Sequence, residues 1–414
     1  MARHIAALAF IFVCTSFAWM ILGATIVART RDASSTLSGR VASTWGAPHD
    51  QAPPTAAVSR RAREPGPASD SAGTRAARTA GNEVTTFLPL ERSRIRATLN
   101  LEPRRKGLLW YATYRVAFDG SYAFRNTSGA ADVSFTFPYP AAGTIYDDLV
   151  FTVDGAPVAL VHRDGAATGT ARAAPGATAV LRVAYRSQGL DAWTYRFGGD
   201  VAQVRDFDLA MATDFRGVDF RDNTLSPTRK RASPGGLDLE WSYRNLVTGS
   251  QIGLVMPQKL QPGPLAGRIS FFAPVSLFFF FFLMFIITTL RRIELHPMNY
   301  FFLAGAFFSF HLLLAYLADQ VTIHLAFAIC SAVSIALVVS YLRLVVGMRF
   351  AVVEAGLAQL LYLVLFSYAF FLPGVTGLTV TIGAILTLFV VMQMTGRIRW
   401  EERFAAKPGA PPAA

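Results

Sequence analysis

Only two cysteines occur in the 414 residues, Cys14 and Cys330, and both fall inside apolar runs. The polar middle of the chain therefore has no disulfide, and cysteine usage gives no sign of an oxidising compartment. Lysine is nearly as scarce. Lys106, Lys230, Lys259 and Lys407 are the only four, so arginine supplies most of the 39 basic residues that outnumber 27 acidic ones. A basic chain attracts anionic lipid or nucleic acid. No helix-turn-helix or zinc-finger pattern accompanies this charge, so no nucleic acid partner is expected and lipid headgroups are the expected counter-charge. Charge of either sign is missing most completely from residues 271–396, where seven charged side chains occur in 126 positions, mostly at joints between apolar runs. That absence excludes a soluble fold for the segment.

What stands in place of charge is length. A helix needs about 20 apolar residues to cross roughly 30 Å of hydrocarbon. Five runs of that size fit residues 269–290, 298–318, 321–342, 350–372 and 374–395, and a sixth covers Ile5 to Ala28. With 52% hydrophobic residues and a mean hydropathy of +0.36, the chain divides into two unlike parts. The expected fold class is an α+β membrane protein: an N-terminal anchor helix (1–28), a flexible Ala/Arg/Pro-rich tether (29–83), a β-sandwich-like domain (84–263), a five-helix transmembrane bundle (264–396) and a tail (397–414).

Arginines set the orientation. Arg3 precedes the first run, Arg291 and Arg292 follow the second, Arg343 and Arg349 join the fourth to the fifth, and Arg397, Arg399 and Arg403 follow the sixth. The opposite joints, near Ala318 to Thr322 and at Pro373 and Gly374, carry no Lys or Arg. By the positive-inside rule both termini are expected to be cytoplasmic and the polar domain outside. Arg29, Arg31 and Arg40 run against the rule, from which a long translocated loop is largely exempt. The rival reading of residues 1–28 is a cleaved signal peptide, but its apolar stretch exceeds a usual signal core and Ile26 suits a cleavage site poorly. A retained anchor is expected.

From Val84 the hydrophobic period changes to two. Tyr114, Val116 and Phe118 alternate with Arg115 and Ala117, and Tyr122 and Phe124 resume after Gly120. Asp154-Gly155 between alternating runs predicts a hairpin. About ten short strands and few helical patterns predict a sandwich. Residues 51–79 hold too little apolar surface to offset chain entropy, which predicts a flexible tether, with Leu37 to Trp45 a short helical extension of the anchor.

Catalytic signatures are absent: there is no Gly-x-Ser-x-Gly, His-Glu-x-x-His or Ser-x-x-Lys. No enzyme activity, cofactor or metal is expected. Asp206, Asp208, Asp214, Asp219 and Asp222 match no calcium loop and read as solvated turns. His49 and His162 stand apart from any second ligand and receive no role. Arg104, Arg105 and Lys106 place three cations beside a strand start, facing lipid headgroups or an anionic envelope polymer, or forming only a charged turn.

Within the apolar block a few polar residues stand out. Pro297 suits the first turn of a helix, and His296 and Asn299 beside it would cap that helix or hold an anion. His311 lies about 20 Å along the helix from Met298, inside the hydrocarbon, where polar groups need a partner. Tyr300, Phe307, His311 and Leu314 share its face, and Asp319 falls near it at the outer end. A proton or ligand path through His311 and Asp319 competes with an interhelical hydrogen bond that only fixes packing. Glu354, one turn from its joint, would pair with Arg349 or reach water.

The stretch Arg292 to Asp319, RIELHPMNYFFLAGAFFSFHLLLAYLAD, resembles the CreD family of bacterial inner-membrane proteins, also called cell envelope integrity or colicin-tolerance proteins. The likeness rests on the arginine joint, the His-Pro-Met-x-Tyr helix start, the aromatic and Leu-Leu-Leu stretch and the terminal acid, and it continues to about Trp400. It implies an anchor, a periplasmic β-rich domain and a helical bundle, in a protein tied to envelope integrity and two-component stress regulation. The family offers no catalytic residues to carry over. The expected role is non-enzymatic, with the outer domain sensing or binding an envelope polymer, lipid or membrane protein. The alternative is a membrane-embedded carrier or enzyme acting on lipid or an envelope precursor through His311, Asp319 and Glu354. Sequence leaves the oligomeric state open.

Overall fold

Alternation of apolar and charged residues makes strands, and the longest alternating run here forms the strand Thr113–Arg125, with Tyr114, Val116, Phe118, Tyr122 and Phe124 buried. The computed structural model describes residues 2–61, 83–106, 109–198, 202–372 and 374–396. They fall into two units, a β-rich one built on residues 37–106 and 110–259 and a helical one built on residues 2–36 and 260–396.

In the β-rich unit an eight-stranded sheet runs in the order 156–157, 146–153, 178–190, 113–125, 90–101, 202–213, 237–248, 229–232. Its pairs are antiparallel except that Ala202–Thr213 lies parallel to Leu90–Leu101. One face shares a core with a five-stranded sheet (160–163, 166–172, 132–138, 55–61, 83–87). Phe118 meets Phe137 and Phe124 meets Phe135, with ring centroids 6.5 and 5.9 Å apart. The Asp154-Gly155 hairpin forms as expected, both residues taking positive φ, 49° and 81°, which a two-residue turn between twisted strands demands.

Parts of the expected tether are regular structure. Helix α1 (Ala2–Trp45) runs unbroken through residues 29–45, and His49–Gln51 and Thr55–Arg61 are strands. Those strands are made by distant partners, Trp193 to Tyr195 and Ser134 to Thr136, and not by their own residues. The rest of the expected tether, residues 62–82, lies outside the described residues, as do Pro373 and the tail from residue 397.

The helical unit contains six helices long and apolar enough to cross a membrane. After the membrane part of α1 come α2 (Pro262–Arg291), α3 (Pro297–Leu317), α4 (Ile323–Val345), α5 (Phe350–Phe371) and α6 (Thr376–Thr395). Helix α1 runs parallel to α3 along its length: His4 meets Tyr300, Trp19 meets His311 and Arg29 meets Asp319. Against α2 it runs antiparallel, and glycines allow the approach. A Cβ added at Gly23 would stand 3.1 Å from the Phe271 ring, and one at Gly267 would stand 3.0 Å from Val27. In lipid, where burial alone gives helices little reason to associate, close packing of this kind holds a bundle together. Helix α5 departs from regular α-helix: Phe350–Gly356 and Leu360–Leu365 are wound with i→i+5 hydrogen bonds, a form common at functional positions.

Candidate functional site

The polar residues of the bundle are distributed along it and do not converge on one centre. At the start of α3 the His296 Nδ1 accepts the Met298 N–H at 3.2 Å, the capping role that a residue before Pro297 can fill. Asn299 Oδ1 accepts the Tyr341 hydroxyl at 2.7 Å, tying α3 to α4. Tyr300 is buried with its hydroxyl 3.5 Å from that of Thr288.

Farther along α3, His311 is fully buried. Its Nδ1 lies 3.1 Å from Phe307 O on its own helix, and its Nε2 has no partner. The expected bond to another helix is therefore not made. The ring instead meets the edge of Trp19 at 5.6 Å. Asp319, two turns on, binds Arg29 Nη2 at 2.6 Å. Eight positions along the chain separate Asp319 from His311 by about 12 Å of helix, so the two form no direct path. Glu354 does not pair with Arg349. Its Oε1 meets Arg291 Nη2 at 2.5 Å, because the end of α2 packs beside the start of α5. A buried chain that sequence reasoning missed links three helices: Gln359 Nε2 donates to Ser334 Oγ at 2.7 Å, and Ser334 donates to Ala306 O at 2.6 Å.

In the β-rich unit the cations group on the open face of the large sheet. Arg92, Arg94 and Arg96 alternate with buried residues along 90–101 and project outward. Arg94 and Arg96 border a groove of about 760 Å³ that is also lined by Asp119, Arg182, Asp208, Arg229 and Glu240. Most charges here neutralise one another. Arg182 meets Asp119 at 3.0 Å, Arg94 meets Asp206 and Asp208, and Arg229 lies 3.7 Å from Glu240. The Arg94 and Arg92 guanidiniums hold the Asp206 carboxyl below the usual range. Arg96 and Arg231 have no ion-pair partner among the described residues. Between these two lie Ala210, in register with Arg96 and Glu240, and Ala212, in register with Thr98 and Asp238. The alanine side chain is a single methyl group, so these residues leave a shallow floor among long arginines. The period-two spacing of Arg92, Arg94 and Arg96 was a signal legible in the sequence.

The remaining expected residues are engaged locally. Asp214 Oδ1 accepts the Leu101 N–H at 2.8 Å, and Asp219 Oδ1 accepts the Phe220 N–H at 2.9 Å. Arg104 lies over the Trp45 ring at 3.2 Å and 3.8 Å from Glu102, so it is held within its own unit. His162 Nδ1 meets the Tyr139 hydroxyl at 2.7 Å. His49, given no role from sequence, is 1% exposed, with Nε2 3.1 Å from Ser187 Oγ and Nδ1 3.3 Å from the Tyr114 hydroxyl. Burial pushes its pKa down to about 4. Strand 49–51 is thus held by this buried histidine, while strand 55–61 enters the core through Ala56 and Val58.

With the bundle and its joints in view, the comparison with known families is decisive for that part. Residues 242–401 match the family model described as inner membrane protein CreD. The resemblance read at 292–319 is borne out, and the match takes in α2 to α6. No curated protein matches the chain. Among solved structures, a putative nutrient binding protein from Legionella pneumophila is 12% identical, with a TM-score of 0.31, over 47% of this chain and 74% of that one. An M1 zinc metallopeptidase from Deinococcus radiodurans is 13% identical, with a TM-score of 0.28, over 41% of this chain and 42% of the peptidase. Neither likeness carries weight for fold or activity.

Proposed function

We propose that this is a non-enzymatic inner-membrane protein of the CreD type that supports cell envelope integrity. Both termini are cytoplasmic, and a sandwich-like periplasmic domain serves as the binding or sensing module. The observation that carries this reading is the open sheet face, where Arg96 borders the groove and Arg231 lies across the alanine floor beside it, both without ion-pair partners among the described residues. A rigid sheet offering long guanidiniums beside a shallow floor is built to hold an extended, polar envelope component against its surface. The surrounding carboxylates limit the net charge, which favours a specific fit over general attraction to anions.

The test is copurification of the full chain from mild detergent, followed by identification of bound envelope components. The double variant Arg96→Glu and Arg231→Glu should lose the bound component at least tenfold while the protein accumulates normally. Retention at wild-type levels would remove the groove from the function. The second reading, a carrier or enzyme within the bundle, draws on the unpartnered Nε2 of His311.

A further inference from the structure

The Glu354 carboxylate is bonded on one side only. It sits one turn into α5 with its side chain 10% exposed, Oε1 held by Arg291 and Oε2 buried without a partner. A carboxylate offers about four lone-pair sites, and leaving one oxygen unsatisfied in a low-dielectric place is costly. The unfilled position calls for a cationic hydrogen-bond donor.

The surroundings call for the opposite sign as well. Arg292, Arg343 and Arg349 lie exposed at the same end of the bundle, with no ion-pair partner among the described residues. Arg292 is the left-handed cap of α2, next to the arginine that binds Glu354. Arg349 precedes Glu354 by five residues, and the i→i+5 winding of 350–356 brings residues five apart closer to one face than α winding does. A ligand at this spot must therefore supply an ammonium to Oε2 and an anionic oxygen to Arg349 and Arg292. At the same end of the bundle Leu344, Met348, Val352 and Val353 expose 79, 58, 48 and 49% of their surface, apolar area suited to acyl chains and unsuited to a free soluble zwitterion.

We infer that this end of the bundle is a headgroup site for phosphatidylethanolamine. Glu354 Oε2 accepts a hydrogen bond from the primary ammonium, and Arg349 and Arg292 bind the phosphate two carbons away. A quaternary choline has no N–H to donate, and phosphatidylglycerol has no ammonium, so neither satisfies Oε2. The inference needs only that the bundle lies in a bilayer, and it stands apart from the sheet groove.

The full chain is purified in mild detergent and exchanged into nanodiscs of equal parts phosphatidylethanolamine and phosphatidylglycerol, or of phosphatidylcholine and phosphatidylglycerol. Lipid retained on re-extraction is then counted by native mass spectrometry. Wild-type protein should retain phosphatidylethanolamine over phosphatidylglycerol in a ratio of at least five to one and show no such preference for phosphatidylcholine. Glu354→Gln should abolish the preference. Arg349→Ala, at an exposed position that leaves the Arg291 pair intact, should weaken retention severalfold if Glu354→Gln fails to accumulate. Retention in proportion to disc composition, a preference for phosphatidylglycerol, or unchanged preference in the accumulating variants would overturn the assignment and leave Oε2 to water or a proton.

Discussion

Acid should loosen the β-rich unit through one side chain, His49. The Ser187 hydroxyl donates to Ile145 O at 2.9 Å, so its oxygen is left to accept from His49 Nε2–H, and the Tyr114 hydroxyl donates to Ala192 O at 2.7 Å. A neutral imidazole therefore donates once, to Ser187, and its Nδ1 faces a Tyr114 hydroxyl whose proton is already committed. In the unfolded chain the ring titrates near 6.5, whereas burial holds it at about 4 in the folded unit. The unfolded state therefore takes up the proton first as pH falls. Stability is fully present above about 6.5 and is lost as pH drops toward 4. A gap of about 2.5 units corresponds to roughly 3 kcal/mol, most of it lost by about pH 4.5. His49→Gln keeps a hydrogen-bonding side chain of similar reach and removes the titration. Asp191, which burial shifts in the opposite direction, is common to both proteins and cancels. Urea unfolding of the full chain would be read at pH 7.5 and 4.5 by hydrogen exchange of peptides from 187–195. Wild type should lose roughly 2 to 3 kcal/mol more than His49→Gln across that interval. Parallel losses in the two proteins would refute the reasoning, because they would mean that the ring is either accessible or already charged.

Two further outcomes concern the bundle. His311→Leu should be stable within about 1 kcal/mol, since the ring bonds only its own helix and leaves Nε2 unpaired, and an envelope-stress assay should show full function. Loss of function with normal accumulation would instead favour the carrier reading. Gln359→Leu removes both the donor to Ser334 and an unsatisfied Oε1, so unfolding in a graded denaturing detergent should move little. Ser334→Ala strands the Gln359 amide and should cost about 1 kcal/mol more. A larger loss from Gln359→Leu than from Ser334→Ala would reverse that account of the network.

The sequence by itself determined the spans, because crossing hydrocarbon requires length and lack of charge, and both are local properties. It also determined the strands with one buried face, such as 113–125, and the turn at Asp154-Gly155. Partners are another matter. Glu354 lies five residues from Arg349 but pairs with Arg291, 63 positions away, and His311 meets Trp19 and not a polar group, because helix register is set by side-chain packing across the bundle. The same reason explains residues 49–61, whose composition reads as a tether although pairing with 193–195 and 134–136 makes them strands. Tertiary structure alone decided which charges on the sheet neutralise one another and which are left over. Period two shows that Arg94 and Arg96 face outward. Only strand order puts Asp206 and Asp208 beside Arg94 and alanine beside Arg96, and electrostatic pairing depends on those few ångströms.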